Sequence, residues 1–214
     1  MGEVIVLALG IAVSPFPVVP AILLLFTARP RPTSLAFLGA WWVGIAVPAG
    51  VAVVFAEVLD KDSTSPTWLS WVRIAAGVLL VGYGVTTWLG RASSDEPPAW
   101  MRSIQDATPR TAARLALLLS IANPKVLLLA VAAGLDIGSA GYGALGDAAA
   151  VAVFTLVAGL SVTVPVLAYA ALGDRVLPPF ARAKDWLLTH NIAVMAVVIT
   201  VIGVVLLKNG IAGL

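Results

Sequence analysis

The sequence contains no cysteine. Disulfides, thiolate metal centres and dithiol relays are therefore excluded. It has one histidine, His190, and no cluster of carboxylates inside its apolar runs, so no metal centre is expected. Charge is scarce as well: 11% of residues are charged, against about 25% in a soluble globular domain. The net charge is +2, and the basic residues lie beside apolar runs, so the pI near 9.2 carries no nucleic-acid signal. The HExxH, GxSxG and P-loop motifs are absent. Leu145-Gly146-Asp147 and Leu172-Gly173-Asp174 lack the first glycine of a Gly-x-Gly-Asp run. No catalytic residue and no cofactor is expected, and an enzyme is not the reading these absences favour.

What is present is apolar. Of the 214 residues 60% are hydrophobic, and the mean hydropathy is +1.02. Several apolar runs exceed about 18 residues, the length that marks a membrane helix. The expectation is an all-α membrane protein with six spans: Val4–Thr27, Ser34–Val58, Trp68–Leu89, Leu115–Gly134, Ala148–Leu172 and Ile192–Leu207. Met1-Gly2-Glu3 carries no basic stretch, so the first run is expected to be a span and not a cleaved leader. Val6 stands where a myristoylation signal needs Ser or Thr.

The loops predict the orientation. Arg29, Arg31, Arg91, Arg102, Arg110, Arg114, Arg175, Arg182 and Lys184 fall on one side. Glu3, Asp60, Lys61, Asp62, Asp136, Asp147 and Lys208 fall on the other. Basic loops face the cytoplasm, so both termini are expected outside the inner (plasma) membrane. Trp68, Trp71 and Trp88 sit at the ends of span 3, as interfacial aromatics do. Trp41 and Trp42 lie two turns into span 2 and are either packing residues or part of a cavity wall.

Two stretches break the pattern of continuous apolar helices. In span 4, Asn123-Pro124-Lys125 puts a helix-breaking proline and a charge inside an apolar run. Asparagine is a good N-cap and proline suits the first helical position. The segment is expected to form two half-helices, the second starting at mid-membrane. Span 1 repeats the design with Ser14-Pro15-Phe16-Pro17, where Ser14 would cap a second half-helix. If the two breaks meet, two positive helix ends converge, and Lys125 adds a full charge. Such a site suits a carboxylate, phosphate or sulfate. Ser14, Pro15, Pro17, Asn123, Pro124 and Lys125 are therefore the candidate substrate-binding residues, with Pro48 and Pro165 as bends beside them.

The halves of the chain resemble one another. Ser14-Pro15 matches Asn123-Pro124, Ala46-Val47-Pro48 matches Thr163-Val164-Pro165, and Val81-Gly82 matches Ile202-Gly203. An odd number of spans per half gives opposite insertion, hence two inverted three-helix repeats, a recurring transporter architecture. Residues 1–90 form the first repeat, 91–114 a polar cytoplasmic linker, and 115–214 the second repeat, within one integrated membrane domain. Small residues at Ala36, Ala40 and Gly44, at Gly77, Gly82 and Gly84, and at Ala158, Gly159 and Ser161 mark close helix packing, within the bundle or in a homodimer.

The proline-rich break in span 1, Asn-Pro-Lys in span 4, and six spans in some 200 residues resemble the LysE exporter superfamily. The chain looks most like its peptidoglycolipid-addressing (GAP/Sap) branch. Amino-acid exporters of the superfamily show Pro-Gly-Pro in span 1; here Phe16 replaces the glycine. The redox branch needs membrane cysteines, which are absent. The resemblance implies export of a cell-envelope glycolipid or another amphiphile, by alternating access, with membrane lipids and the lipid substrate as partners. Two other readings stand beside it: an exporter of amino acids or other small solutes, and a non-transporting scaffold for a larger lipid-export complex.

Overall fold

The computed structural model describes residues 2–59 and 106–183 throughout, with scattered positions between 71 and 86 and between 185 and 211. Among the described residues every regular element is helical. In chain order they are α1 (Gly2–Ala12), α2 (Pro15–Leu24), α3 (Pro30–Leu59), α4 (Pro109–Ile121), α5 (Pro124–Gly138), α6 (Gly143–Ala158) and α7 (Leu160–Leu172). A 3₁₀ turn (Gly173–Val176) follows α7 and leads into helical residues 177–183.

Proline opens four of these helices, α2 to α5. Its missing N–H is no loss there, and its fixed φ suits the first turn. The caps are chemical as well. The Thr111 N–H donates to Thr108 Oγ1 at 3.2 Å ahead of α4, and the Lys125 N–H donates to Asn123 Oδ1 at 3.0 Å ahead of α5.

Both breaks expected from the prolines are present. α1 and α2 meet at 55°, and α4 and α5 at 68°. α3 runs unbroken through Pro48. By length and composition two helical stretches, Pro30–Ala56 and Leu160–Ala183, could each cross a membrane, and four could if each bent pair is one span.

α3 shows that the surrounding medium is lipid. One of its faces is core: Phe37, Trp41, Ile45 and Ala49 are fully buried. The opposite face carries Val43, Val47, Val51, Val54 and Phe55, all at least half exposed. A helix apolar on every side is stable only where its outer face meets hydrocarbon. Leu118, Leu156 and Val164 extend the same apolar surface over α4, α6 and α7. The protein is membrane-embedded.

α3 packs most closely against α4 and α5. A Cβ on Gly44 would collide with Ser120 Oγ, and one on Gly134 with the Ala49 carbonyl oxygen. A Cβ on Gly138 would lie 2.7 Å from the Val53 carbonyl oxygen. Small residues thus bring two backbones into direct contact, as in other membrane helix pairs. The order of these contacts makes α3 and α5 parallel. α1 runs antiparallel to α5, because Gly2–Val4 and Asp136–Tyr142 line one pocket at the same end. α6 starts at that end too and lies along α1. At the opposite end Arg31 lies near enough to Tyr169 to act on it electrostatically. Glu3 and Asp136 therefore share one end of the bundle, while Arg29, Arg31 and Arg175 share the other.

Span 5 differs from its expectation of an unbroken helix over Ala148–Leu172. It is interrupted at Gly159, which keeps an αR conformation (φ −84°, ψ −6°), and Trp42 packs against that point. The indole of Trp42 occupies the place of a Gly159 Cβ, 2.6 Å from its nitrogen, and its N–H donates to Thr163 Oγ1 at 3.2 Å. Thr163 Oγ1 in turn donates to the Gly159 carbonyl at 2.9 Å. Trp42 is thus a packing residue, and Trp41, fully buried and stacked on Phe37 with ring centroids 6.4 Å apart, is another.

The stretch Leu160–Ala183 is not a single rod. Gly173 sits at φ 63°, ψ −143°, a conformation nearly restricted to glycine. The Tyr169 hydroxyl donates to Asp174 Oδ1 at 3.1 Å across this turn. A straight helix would hold residues 160 and 183 about 34 Å apart at 1.5 Å per residue. Both line the same groove, so the chain turns back at Gly173.

Expected spans 3 and 6, and residues 91–105 of the expected 91–114 linker, fall largely outside the described residues. Among the described residues the two spans touch at glycines: a Cβ on Gly77 would lie 2.9 Å from the Gly203 carbonyl oxygen and 2.7 Å from the Leu207 side chain, and a Cβ on Gly203 2.6 Å from the Val81 side chain. Gly82, the counterpart of Gly203 in the first half of the chain, faces open space instead.

Candidate substrate site at the two helix breaks

α1 lies along α5, and α2 touches α4. Because spans 1 and 4 are antiparallel, this pairing puts their breaks at one level of the bundle. α2 and α5 both start at that level and leave toward opposite ends. Their N-terminal dipole ends, each about half a positive charge, therefore begin at a common depth.

Lys125 is the charged group at this level. Its side chain is only 4% exposed, and Nζ has no hydrogen-bond partner among the described residues. An ammonium carries three donors, and burying one unpaired costs several kcal/mol. The local sequence forces the placement. Asn123 caps α5, Pro124 takes its first position, and Lys125 follows on the buried side with Val126, Leu129 and Ala130. Asn123 is half-buried and Pro124 exposed, so their role is to set the start of α5 and aim Lys125.

In span 1 the placement holds and one detail does not. Ser14 is 1% exposed and stands at the N-cap of α2 in extended conformation. Its side chain makes no capping bond to α2, contrary to expectation; Pro15 at the first position leaves one fewer N–H to answer. Pro17 is buried. The side chain of Pro15 lies outside the described residues. Ser120 is structural: its hydroxyl donates to the Ala116 and Leu117 carbonyls at 2.9 and 3.1 Å. Pro48 lies next to Ala49, at the α3–α5 contact, and has no N–H to offer the Gly44 carbonyl. Pro165 is buried in α7.

Pro165 lines a groove of roughly 370 Å³ between α2 and α7. Its other walls include Ala12 and Val13 at the break in span 1, Ile22, Ser161 and Phe180. Apart from Ser161 the lining side chains are apolar.

Sequence reasoning missed Asp147, which it placed in an outer loop. Asp147 is 4% exposed, and Oδ1 has no hydrogen-bond partner among the described residues. The signal was available: Asp147, Ala150, Phe154 and Ala158 share one helical face at spacings of three and four, and all four are buried. Thr155 Oγ1 and Ser161 Oγ are also buried without partners. Among the described residues no group of His, Cys, Asp or Glu is arranged to hold a metal ion.

A family model described as Sap, sulfolipid-1-addressing protein, matches residues 4–212. The chain belongs to this family. Sap proteins are a lipid-addressing membrane family, and an apolar helical bundle with a buried cation fits that description. No curated protein and no solved structure matches this Sap-family chain.

Proposed function

We propose that the protein exports an anionic, lipid-linked substrate, such as a cell-envelope glycolipid, across the inner (plasma) membrane by alternating access. One observation carries the reading: a lysine, buried and unpartnered, sits at the level where two broken helices begin. A buried ammonium without a counter-ion is complete only when an anion joins it. The family description names a sulfolipid, and an anionic head group is what Lys125 and the N-terminus of α5 would hold. Ser14 and Pro17 supply the facing wall, Pro15 opens α2 between them, Asn123 and Pro124 aim the lysine, and Pro48 and Pro165 are the bends beside it.

In this reading six helices form two inverted three-helix repeats. The acidic end, with both termini, faces outward, and the arginine-bearing end faces the cytoplasm. The two proline motifs support placement within the LysE superfamily. No cofactor or catalytic group takes part. Membrane lipids surround the protein, and a homodimer through small-residue faces is compatible with it.

The test is transfer of a fluorescent phosphatidylglycerol between leaflets of proteoliposomes. Wild type is expected to accelerate transfer, and Lys125→Ala to lower the rate at least tenfold while folding and inserting normally. Transfer unchanged in a well-inserted Lys125→Ala protein removes Lys125 from the mechanism. Efflux of amino acids with no lipid transfer would favour the small-solute exporter. No transfer of either, with co-purification of a larger exporter, would favour the scaffold.

A further inference from the structure

The groove between α2 and α7 begins at Ala12 and Val13, the last residues before the break in span 1. That break lies at the level of Lys125. α1 touches both α5 and α6, and its end at Ala12 forms part of the groove wall. Neighbouring residues differ at the break: Ser14 is buried at 1%, while Val13 is 54% exposed and lines the groove. The walls farther along are Val18, Ile22, Val164, Pro165 and Phe180. Val164 at 56% and Leu160 at 45% exposure continue the apolar surface that meets hydrocarbon, so the groove opens sideways into the bilayer. One polar side chain interrupts its wall: Ser161, whose Oγ is buried without a partner.

We infer that this groove is the acyl-chain subsite for the amphiphile whose head group Lys125 holds. The inference rests on the proposed export function and names the other end of its substrate. The chain would lie against Ile22, Val164 and Pro165. Hydrocarbon gains little by moving from bilayer to protein, because lipid tails are as apolar as the wall. The groove therefore selects by shape and orients the molecule across the break, leaving affinity to the head-group site. The turn at Gly173 matters to this arrangement, because it brings Phe180 and Ala183 back to close one side.

The probe is a phosphatidylglycerol with a diazirine midway along one acyl chain, held at low mole fraction in phosphatidylcholine nanodiscs with the full chain. Photolysis followed by peptide mass spectrometry is expected to label residues 18–22 and 161–165 above all others. Val164→Trp fills the groove from a lipid-facing position and is expected to cut that labelling at least fivefold. Labelling spread evenly over outward residues such as Phe55 and Leu118, and unmoved by Val164→Trp, overturns the subsite. A water-soluble short-chain phosphatidylglycerol reads the head-group site separately. Its binding is expected to be lost in Lys125→Ala and kept in Val164→Trp. Equal binding to wild type and Lys125→Ala, with the groove still labelled, removes the lysine site and leaves the groove.

Discussion

Lys125 and Asp147 are two buried ionisable residues whose Nζ and Oδ1 have no hydrogen-bond partner among the described residues, and their prospects differ. Lys125 stands at a helix start among residues positioned to receive an anion. Asp147 stands near the beginning of α6, where no cation pairs with it among the described residues. Replacing an uncompensated buried charge by a neutral isostere removes a desolvation penalty. Asp147→Asn is therefore expected to melt in detergent at the same temperature as wild type or higher; a large drop would mean that the carboxylate has a partner in the membrane. Asn123→Ala removes the cap of α5 and is expected to cost about 1 kcal/mol, with weaker substrate binding because the start of α5 aims Lys125. Thermal melting and lipid binding on the same preparation check both. Lys125 was legible because a charge inside an apolar run is costly and stands out from its neighbours. Asp147 was placed in a loop because Gly143 and Gly146 around it read as loop, although its three- and four-residue spacing to Ala150, Phe154 and Ala158 marks a buried helical face.

At the scale of elements, prolines announced two breaks and the structure contains both. The breaks at Gly159 and Gly173 were invisible for different reasons. At Gly159 a side chain is excluded because Trp42, on another helix, fills the space beside it, and no local signal reports a tertiary contact. Gly173 breaks the chain through a positive φ, which the bare letter glycine permits without requiring. Gly173→Ala is expected to cost about 1–3 kcal/mol, the usual penalty for a side chain in that region, and to loosen the Tyr169–Asp174 contact. Gly134→Leu drives a side chain into the Ala49 carbonyl and is expected to destabilise by about 1–3 kcal/mol or more, the cost of overpacking. Size-exclusion profiles and melting curves of the two variants against wild type check these values. The small-residue face of span 2 was legible in Gly44, but its partners, Ser120 and Leu117, could be known only from the packed bundle.

For the whole molecule, the apolar composition already excluded a soluble fold, and the outward face of α3 gives the physical reason. The segregation of Glu3 and Asp136 from Arg29, Arg31 and Arg175 agrees with the charge pattern of the loops. The parallel course of α3 and α5, and the antiparallel course of α1 and α5, are what that pattern implies for spans 1, 2 and 4. The central claim is that the bundle holds an anionic lipid at Lys125. Native mass spectrometry of gently solubilised protein, wild type beside Lys125→Ala, tests it most directly. The account predicts a co-purifying anionic lipid or glycolipid on wild type that is absent from the variant. The same lipid retained equally by both proteins, or none on either, would contradict it.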